Sequence, residues 1–355
     1  MIELKEGKVN KIISHRSNLT KVEIELKGDI KQAINYNNLT GKIKAGDRVI
    51  VNTSATSLNL GTGGYDFIVY ILGQEQSLAP KGHIMKLRYT PYQLQTCSVS
   101  EQQSDYHKEL SKVDSLANTP VVVGTLHSML APITAVIKAK SPQSKVAYIM
   151  TDAAALPLAL SELVYKLQSL DLIDLTITSG HAFGGQIEAV NIYSALLGSY
   201  VKEADIIVVT MGPGIVGTGT KYGFSGTEQA EIINAVSNLA GIPIAVPRIN
   251  FADSRRRHYG LSHHTRTNLG DLVLVESLLG IPKFKGEQRR VIAQQLVEAK
   301  IAKKHKLFYK EQQEIIRILT ELEVDLITMG HNYREVPEFF ITAGIAGEIA
   351  VEQLE

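Results

Sequence analysis

The sequence lacks several residue types that would each point to a class of protein. It has a single cysteine, Cys97, and no tryptophan, and aromatic residues make up only 6% of its 355 residues. One thiol excludes an internal disulfide and is typical of proteins from a reducing compartment, so we expect a cytoplasmic location. The scarcity of aromatic rings argues against a stacking platform for single-stranded nucleic acid.

Neither an excess of one charge nor a long apolar run is present. The 37 basic side chains are balanced by 36 acidic ones, for a formal net charge of +1. Proteins that neutralise many phosphates usually carry a basic surface, so we do not expect nucleic acid as a partner. No apolar run approaches the roughly 18 residues that a membrane helix needs, and the N-terminus has no apolar signal segment. We therefore expect no membrane partner, and a homodimer only because twofold assemblies are common.

The pattern that is present divides the chain into two parts. Residues 1–90 hold short runs in which apolar and polar residues alternate, such as 21–26, with glycines between them. This alternation predicts strands, and with no helical pattern among them it predicts a small all-β domain, either a barrel or a sandwich. Residues 91–118 are polar and form a predicted connector, with a short helix over 102–116.

From residue 119 to 355, continuous apolar runs alternate with helical patterns. This alternation predicts a mostly parallel, doubly wound, Rossmann-like α/β sheet with helices on both faces. The predicted strands lie at 121–124, 146–150, 175–178, 206–210, 244–249 and 324–329, with an ambiguous run at 272–275. The predicted helices lie at 156–170, 187–200 and 228–239, with two more over 286–322 and a last one from Pro337.

Polar loops follow nearly every predicted strand of this α/β domain. Ligands of open parallel sheets bind beyond the carboxyl ends of the strands, so the residues there are catalytic candidates. These candidates are His127, Asp152, His181 and Asp253. His181 is the favoured acid–base group because imidazole titrates near neutral pH, with Asp152 or Asp253 as its partner. The alternative is that all four are ordinary loop residues and helix caps.

A glycine-rich loop over 211–220 follows the predicted strand 206–210 and contains the pattern G-x-G-x-x-G. A dinucleotide site is not expected, because the S-x-x-E capping box from Ser225 to Glu228 would start the helix near Gly226, well after the motif. The loop can still hold a smaller anion through its N–H groups. The predicted ligand residues in it are Gly212, Gly214, Gly217, Thr218 and Gly219. The alternative is that its glycines serve tight turns and close packing.

Three arginines and three histidines lie close together within residues 255–264. Guanidinium groups are suited to bidentate binding of phosphate or carboxylate, so this segment is a candidate anion clamp. Its predicted ligand-binding residues are Arg255, His263 and His264. The alternative is a solvated charged loop or a subunit contact.

The sequence predicts neither a metal site nor a particular cofactor. Residues able to bind a metal are present: His127, Asp152, His181, Asp253, His263, His264 and His331. They show no H-E-x-x-H spacing, and the chain has no Cys/His cluster of the kind that holds structural zinc.

Several segments together resemble an uncharacterised bacterial protein family that is catalogued as a domain of unknown function and is about as long as this chain. The segments include Leu-Gly-Thr-Gly-Gly-Tyr at 60–65, the glycine-rich loop at 211–220 and Leu-Ser-His-His-Thr at 261–265. The resemblance implies a bacterial protein with no assigned reaction, and it gives no residue a catalytic role. Asp66 stands where the family pattern is expected to have His, and His331 where it is expected to have Arg, so neither is taken as a catalytic candidate.

Three functional hypotheses follow from these observations. The first is an enzyme that acts on a small anionic metabolite, phosphorylated or carboxylated, at the carboxyl edge of the parallel sheet. The second is a non-catalytic metabolite sensor or adaptor that uses the same pocket. The third and weaker one is a metal-dependent hydrolase. The first requires that His181 and Gly214 lie at the same edge of the sheet.

Overall fold

Short strands with alternating apolar residues build the N-terminal unit, Met1–Thr96. The structure is a computed structural model, and it describes residues 1–16, 18–61, 63–77 and 81–354. Five strands close into a barrel in the order β1-β2-β3-β5-β4. They are β1 (Leu4–Arg16), β2 (Leu19–Leu26), β3 (Asp29–Tyr36), β4 (Arg48–Asn52) and β5 (Asp66–Ile71). Val22 and Ile24 point into the barrel core, as their alternation with Lys21 and Glu23 predicts.

Four short elements complete this unit: α1 (Asn37–Thr40), α2 (Ser54–Ser57) and the antiparallel pair β6 (Ile84–Lys86) and β7 (Leu94–Thr96). The predicted small all-β domain is confirmed, and it is a barrel because the parallel pairing of β3 with β5 closes the sheet on itself. Thr62, in one of the segments that resemble the family, lies outside the described residues.

The second unit, Cys97–Glu355, contains an eight-stranded sheet in which every neighbouring pair of strands is parallel, in the order β11-β10-β9-β12-β8-β13-β16-β17. Its strands are β8 (Pro120–Val123), β9 (Val146–Thr151), β10 (Leu175–Ser179), β11 (Ile187–Ala189), β12 (Ile206–Met211), β13 (Ile242–Ala245), β16 (Leu278–Pro282) and β17 (Lys306–Lys310). Two antiparallel pairs lie outside it, β14 (Ile249–Asn250) with β15 (Gly260–Leu261) and β18 (Ile327–Thr328) with β19 (His331–Asn332).

Helices cover both faces of this sheet, which confirms the predicted doubly wound α/β architecture. In chain order they are α3 (His107–Leu110), α4 (Leu130–Lys140), α5 (Glu162–Ser169), α6 (Ile192–Val201), α7 (Glu228–Asn238), α8 (His263–Thr265), α9 (Gly286–Glu298), α10 (Ile301–Lys304), α11 (Gln313–Glu321) and α12 (Pro337–Glu352). One apolar core lies under α4, α5, α11 and α12, and the other under α6, α7, α9 and α10. Along β8, Val122 enters the first core while Val121 and Val123 enter the second, so the strand is apolar throughout.

The predicted strand at 324–329 is wrong, because this segment does not join the parallel sheet. Only Ile327–Thr328 is extended, and it pairs with His331–Asn332 in a small hairpin. Ile327 is 57% exposed, and the positive φ angles of Met329 and Gly330 turn the chain back at once. The ambiguous run at 272–275 is also not a strand.

Two strands lie where helices were predicted. Strand β17 interrupts the helical region 286–322, and β11 takes the first residues of the predicted helix 187–200. Strand β17 is an edge strand that begins and ends with lysine, and none of its five residues is fully buried, so it lacks the buried apolar run that marks the central strands. The predicted helix over 102–116 is reduced to the single turn α3, whereas the helices at 228–239 and from Pro337 are confirmed. Among the described residues, no helix has the length and apolar character needed to cross a membrane.

Candidate functional site

The strand order of the parallel sheet creates a crevice at its carboxyl edge. Strands β8 and β12 are neighbours, but β8 leads to α4 on one face and β12 leads to α7 on the other. Loops that leave neighbouring strands toward opposite faces open a crevice between them, which is where ligands of such sheets bind. A cleft of about 730 Å³ lies there, lined by residues 126–128 after β8 and 212–215 after β12.

His127 is fixed in one orientation at the floor of this cleft. Its Nδ1 lies 3.2 Å from the carbonyl oxygen of Met211, which can only accept, so Nδ1 carries the hydrogen. Its Nε2 therefore accepts from the hydroxyl of Ser161 at 2.6 Å. Burial lowers the pKa of His127 to about 4, which keeps the imidazole neutral near pH 7.

The Ser161 hydroxyl has two roles, since it also caps helix α5 by accepting the N–H of Val164 at 3.0 Å. A serine beside a neutral imidazole can act as a nucleophile. Ser161 is only 4% exposed and is not among the residues that line the cleft, so we assign it a positioning role.

Replacing Ser161 by alanine is expected to lower the free energy of unfolding by about 1–2 kcal/mol, because the helix loses its N-cap and His127 loses its donor. Chemical denaturation would measure this change. Ser169, an exposed serine at the other end of α5, is the matched control, and Ser169→Ala should change stability by less than about 0.5 kcal/mol. Equal stabilities of the two variants would contradict the assignment.

The glycine-rich loop after β12 is held by close packing at its start. A Cβ atom placed on Gly212 would lie 2.4 Å from the carbonyl oxygen of Ala155, and the N–H of Ala155 donates to the carbonyl of Pro213 at 3.0 Å. Gly214 has a φ of +105°, a conformation that favours glycine. Thr218 is used within the loop, where its hydroxyl donates to the carbonyl of Gly223 at 3.1 Å.

The capping box predicted for the next helix does not form. The Ser225 hydroxyl accepts the N–H of Val216 at 3.3 Å, while α7 begins only at Glu228, after a 3-10 turn. The Glu228 carboxylate reaches across to β9 instead and accepts the Thr151 hydroxyl at 2.8 Å. Burial raises the pKa of Glu228 to about 7, and the neighbouring carboxylate of Asp152 contributes in the same direction.

Asp152 and His181 are joined through the backbone after β10. The Asp152 carboxylate accepts the N–H of His181 at 2.8 Å. Gly180 has a φ of +66°, and a Cβ atom on it would lie 2.2 Å from Asp152 Oδ2. Asp152 therefore stabilises this turn. His181 follows β10 and Gly214 follows β12, so the two lie at the same edge of the sheet, as the first hypothesis requires.

Asp253 is an ion-pair partner of two arginines. It accepts two hydrogen bonds from the Arg255 guanidinium, at 2.9 and 2.8 Å, and these hold the pKa of Asp253 well below its usual range. Arg248 Nη2 lies 3.9 Å from the same carboxylate. Both arginines line a second pocket of about 250 Å³, which shares Thr328 and Met329 with the large cleft.

Three imidazoles lie beside the far end of the glycine-rich loop. The ring centroids of His258, His263 and His264 are 4.3–5.1 Å apart, and Phe224 stacks on His264 at 3.9 Å. A Cβ atom on Gly217 would lie 3.8 Å from His264 Nε2, and one on Gly219 would lie 4.0 Å from a guanidinium nitrogen of Arg257.

The surroundings of these imidazoles favour their neutral form. Burial is the main cause, and it lowers the pKa of His258 to about 4 and that of His264 to about 3. Nearby positive charge, including that of Arg248, acts in the same direction. The helix α8 that carries His263 and His264 continues into a seven-residue π-helical segment, Arg266–Leu272, a distortion that is frequent at functional sites.

A comparison with protein families identifies the chain. Residues 32–347 match the family model described as Protein of unknown function (DUF3866). The chain belongs to the DUF3866 family. No match was found among curated proteins. The DUF3866 assignment accords with the resemblance seen in the sequence, and it brings no reaction, substrate or partner with it.

The edge of this DUF3866 protein brings together only part of the predicted residue set. Gly212, Gly214 and His127 line the large cleft. Asp253 and Arg255 line the smaller pocket. His263 and His264 belong to the imidazole cluster, and Gly217 and Gly219 lie beside it. Asp152 and His181 form a separate turn after β10. Sequence reasoning missed Arg248, Glu228 and Ser161, and it did not treat His258 as a ligand. For Arg248 and His258, the only signal in the sequence was the high density of arginine and histidine within 248–264.

Proposed function

We propose that this protein is an enzyme that acts on a small molecule bearing a phosphate or a carboxylate, bound at the carboxyl edge of the parallel sheet. The observation that carries the proposal is the state of Arg248. Its side chain is only 6% exposed, and within the described residues its guanidinium has no closer hydrogen-bond acceptor than the Asp253 carboxylate, which lies 3.9 Å away. A guanidinium that is buried against a pocket, with its donors uncommitted, is suited to an anion.

The smaller pocket supplies the charge for such a ligand. Asp253 is already neutralised by the bidentate pair with Arg255, so Arg248 adds positive charge that no other described residue balances at close range. Desolvation of Arg248 has a cost, which is seen as a lowered pKa of that side chain. An anion that enters the pocket would offset this cost.

The remainder of the ligand would lie in the large cleft. The two cavities share Thr328 and Met329, and the Ser128 hydroxyl donates to Thr328 at 2.9 Å between them. A ligand that reaches across this point would have its anionic end at Arg248 and its body near His127. Glu228, whose pKa burial raises to about 7, is the acid–base candidate at this edge; it lines neither cavity, so it would act from behind their walls.

Replacing Arg248 by methionine is expected to weaken anion binding strongly without loss of stability. We would screen the protein by thermal shift against inorganic phosphate, sugar phosphates, nucleotides and di- and tricarboxylates, since a ligand of the native state raises the melting temperature. Arg248→Met should weaken binding of the hit by about 100-fold or more, because two charge-assisted hydrogen bonds contribute roughly 1.5–3 kcal/mol each. The ligand-free variant should melt at the same temperature or higher, because a desolvated charge has been removed.

Arg317→Met is the matched control, since Arg317 is an exposed arginine on α11 that pairs with Glu321. The proposal fails if no phosphate or carboxylate shifts the wild-type melting temperature, or if Arg248→Met keeps the full shift. Turnover of the hit by the wild type would separate an enzyme from a sensor.

Metal-dependent hydrolysis is the second candidate function, and the neutral cluster of His258, His263 and His264 favours it. Three neutral imidazoles with a fourth position left for water are the ligand set of one class of catalytic zinc site. In that case the anion at Arg248 would be part of the hydrolysed substrate.

A further inference from the structure

The three imidazoles are placed as metal ligands would be. One ring nitrogen from each of His258, His263 and His264 lies within 4.8 Å of the other two. Zn²⁺ binds imidazole nitrogen at about 2.0–2.1 Å with tetrahedral angles, which puts ligand atoms about 3.3 Å apart. Small rotations of the rings would close the remaining distance.

Two of these rings carry buried nitrogen atoms that have no hydrogen-bond partner. They are His263 Nε2 and His264 Nδ1, and no donor or acceptor among residues 1–16, 18–61, 63–77 and 81–354 reaches them. A buried polar atom without a partner costs about 1–3 kcal/mol, so a folded protein rarely keeps two of them side by side. A bound cation would satisfy both lone pairs.

The third ring is oriented by a hydrogen bond on its other nitrogen. His258 Nδ1 lies 2.9 Å from the Ser262 hydroxyl, and Ser262 in turn caps α8 by accepting the N–H of His264. The N–H of Ser262 donates to the carbonyl of Arg248. Metal-binding histidines are commonly held in this way by a bond on the nitrogen that does not bind the metal.

We propose that His258, His263 and His264 form a binding site for a divalent transition metal of the zinc class, which leaves at least one coordination position for water or an anion. Nitrogen ligands without a carboxylate favour such metals over Mg²⁺ and Ca²⁺.

The surrounding arginines restrict what the bound metal carries. Arg248, Arg255 and Arg257 lie close to these histidines, and their positive charge would repel a bare cation. Hydroxide or an anionic ligand on the metal would reduce this repulsion. A role for the metal in substrate binding rests on the proposed function, whereas metal binding by the three imidazoles does not.

Metal titration tests the site without any assay of activity. Full-length protein freed of metal with a chelator would be titrated with Zn²⁺ by calorimetry, and with Co²⁺ followed by visible absorption. We expect one ion per chain, and no binding of Mg²⁺ at the same concentrations. Loss of a group that only orients a metal ligand weakens metal binding by about 10–100-fold. His258→Ala and His263→Ala each remove a ligand, so each should weaken Zn²⁺ binding by more than that.

His107→Ala is the matched control, because His107 lies outside the cluster, bonded to the Ser100 carbonyl, and this variant should bind Zn²⁺ like the wild type. Circular dichroism would establish that each variant is folded, and the wild-type titration decides the question even if a variant is not. Absence of one-to-one binding, or full affinity in His258→Ala, would overturn the proposal. Arg248→Met should still bind one Zn²⁺, so failure of the anion pocket and failure of the metal site can be told apart.

Discussion

Replacing Gly212 by alanine should lower the free energy of unfolding of the C-terminal unit by about 3 kcal/mol, since a forced overlap in a packed region costs about 1–3 kcal/mol or more. The added Cβ would lie 2.4 Å from the carbonyl oxygen of Ala155 and 3.3 Å from the sulfur of Met150. The first contact is with backbone, which cannot rotate away as a side chain can. Nor can the two segments separate easily, because the Ala155 N–H donates to the carbonyl of Pro213.

Denaturant titration would measure this loss, and a melting temperature lower by roughly 6–10 °C should accompany it. Gly61→Ala is the control, because Gly61 has an ordinary φ and a Cβ atom there meets no atom of the described residues within 4 Å. It should change stability by less than about 0.5 kcal/mol. Equal effects of the two substitutions would mean that close packing does not explain Gly212.

This result bears on the two interpretations of the glycine-rich loop. Close approach to Ala155 accounts for Gly212, and positive φ angles of +105° and +81° account for Gly214 and Gly219. Packing and backbone conformation are therefore sufficient reasons for these three glycines. The proposed anion site therefore rests on Arg248 rather than on the loop.

The sequence was a good guide to the centre of the fold. Strands β8, β9 and β12 are buried on both faces, so their continuous apolar runs could be recognised without knowledge of their partners. The edge strand β17 and the hairpin at Ile327–Thr328 could not, because exposed strands carry charged residues and their pairing depends on chain elsewhere.

The site was less predictable, for a reason that Glu228 illustrates. The spacing from Ser225 to Glu228 matched a capping box, which is a pattern of local hydrogen bonds. The Glu228 carboxylate instead bonds to Thr151, 77 residues earlier in the chain, and a local pattern cannot reveal such a partner. Arg248 was missed in the same way, since its isolation in a pocket is a property of the folded chain.

Replacing Glu228 by glutamine is expected to make the protein more stable at pH 8 than the wild type, by up to about 3 kcal/mol, since one pKa unit corresponds to about 1.4 kcal/mol. The pKa of Glu228 rises from 4.5 to about 7 in the folded protein, mainly through burial. The native state therefore favours the protonated carboxyl. Its contribution to stability is fully present below about pH 4.5 and is lost as the pH rises through about 7.

The stabilisation by Glu228→Gln should be larger at pH 8 than at pH 5. Denaturation of wild type and Glu228→Gln at pH 5 and pH 8 should give a stability gap that grows by about 2–3 kcal/mol toward pH 8. Glutamine keeps an oxygen that can accept the Thr151 hydroxyl, so the comparison isolates the charge. Glu287→Gln is the matched control for loss of a carboxylate, because Glu287 is an exposed carboxyl in the first turn of α9.

The same comparison decides whether Glu228 can serve in acid–base chemistry. A carboxyl that is half protonated near pH 7 can both give and take a proton there, whereas one that ionises near pH 4.5 is a weak base at neutral pH. The buried neutral histidines act in the opposite direction, since the protein loses stability as their unfolded forms gain protons below about pH 6.5. The histidines contribute equally to wild type and Glu228→Gln, so the difference between their free energies of unfolding at each pH does not contain that contribution. Parallel curves for wild type and Glu228→Gln would show that Glu228 ionises normally and would remove it from the proposed chemistry.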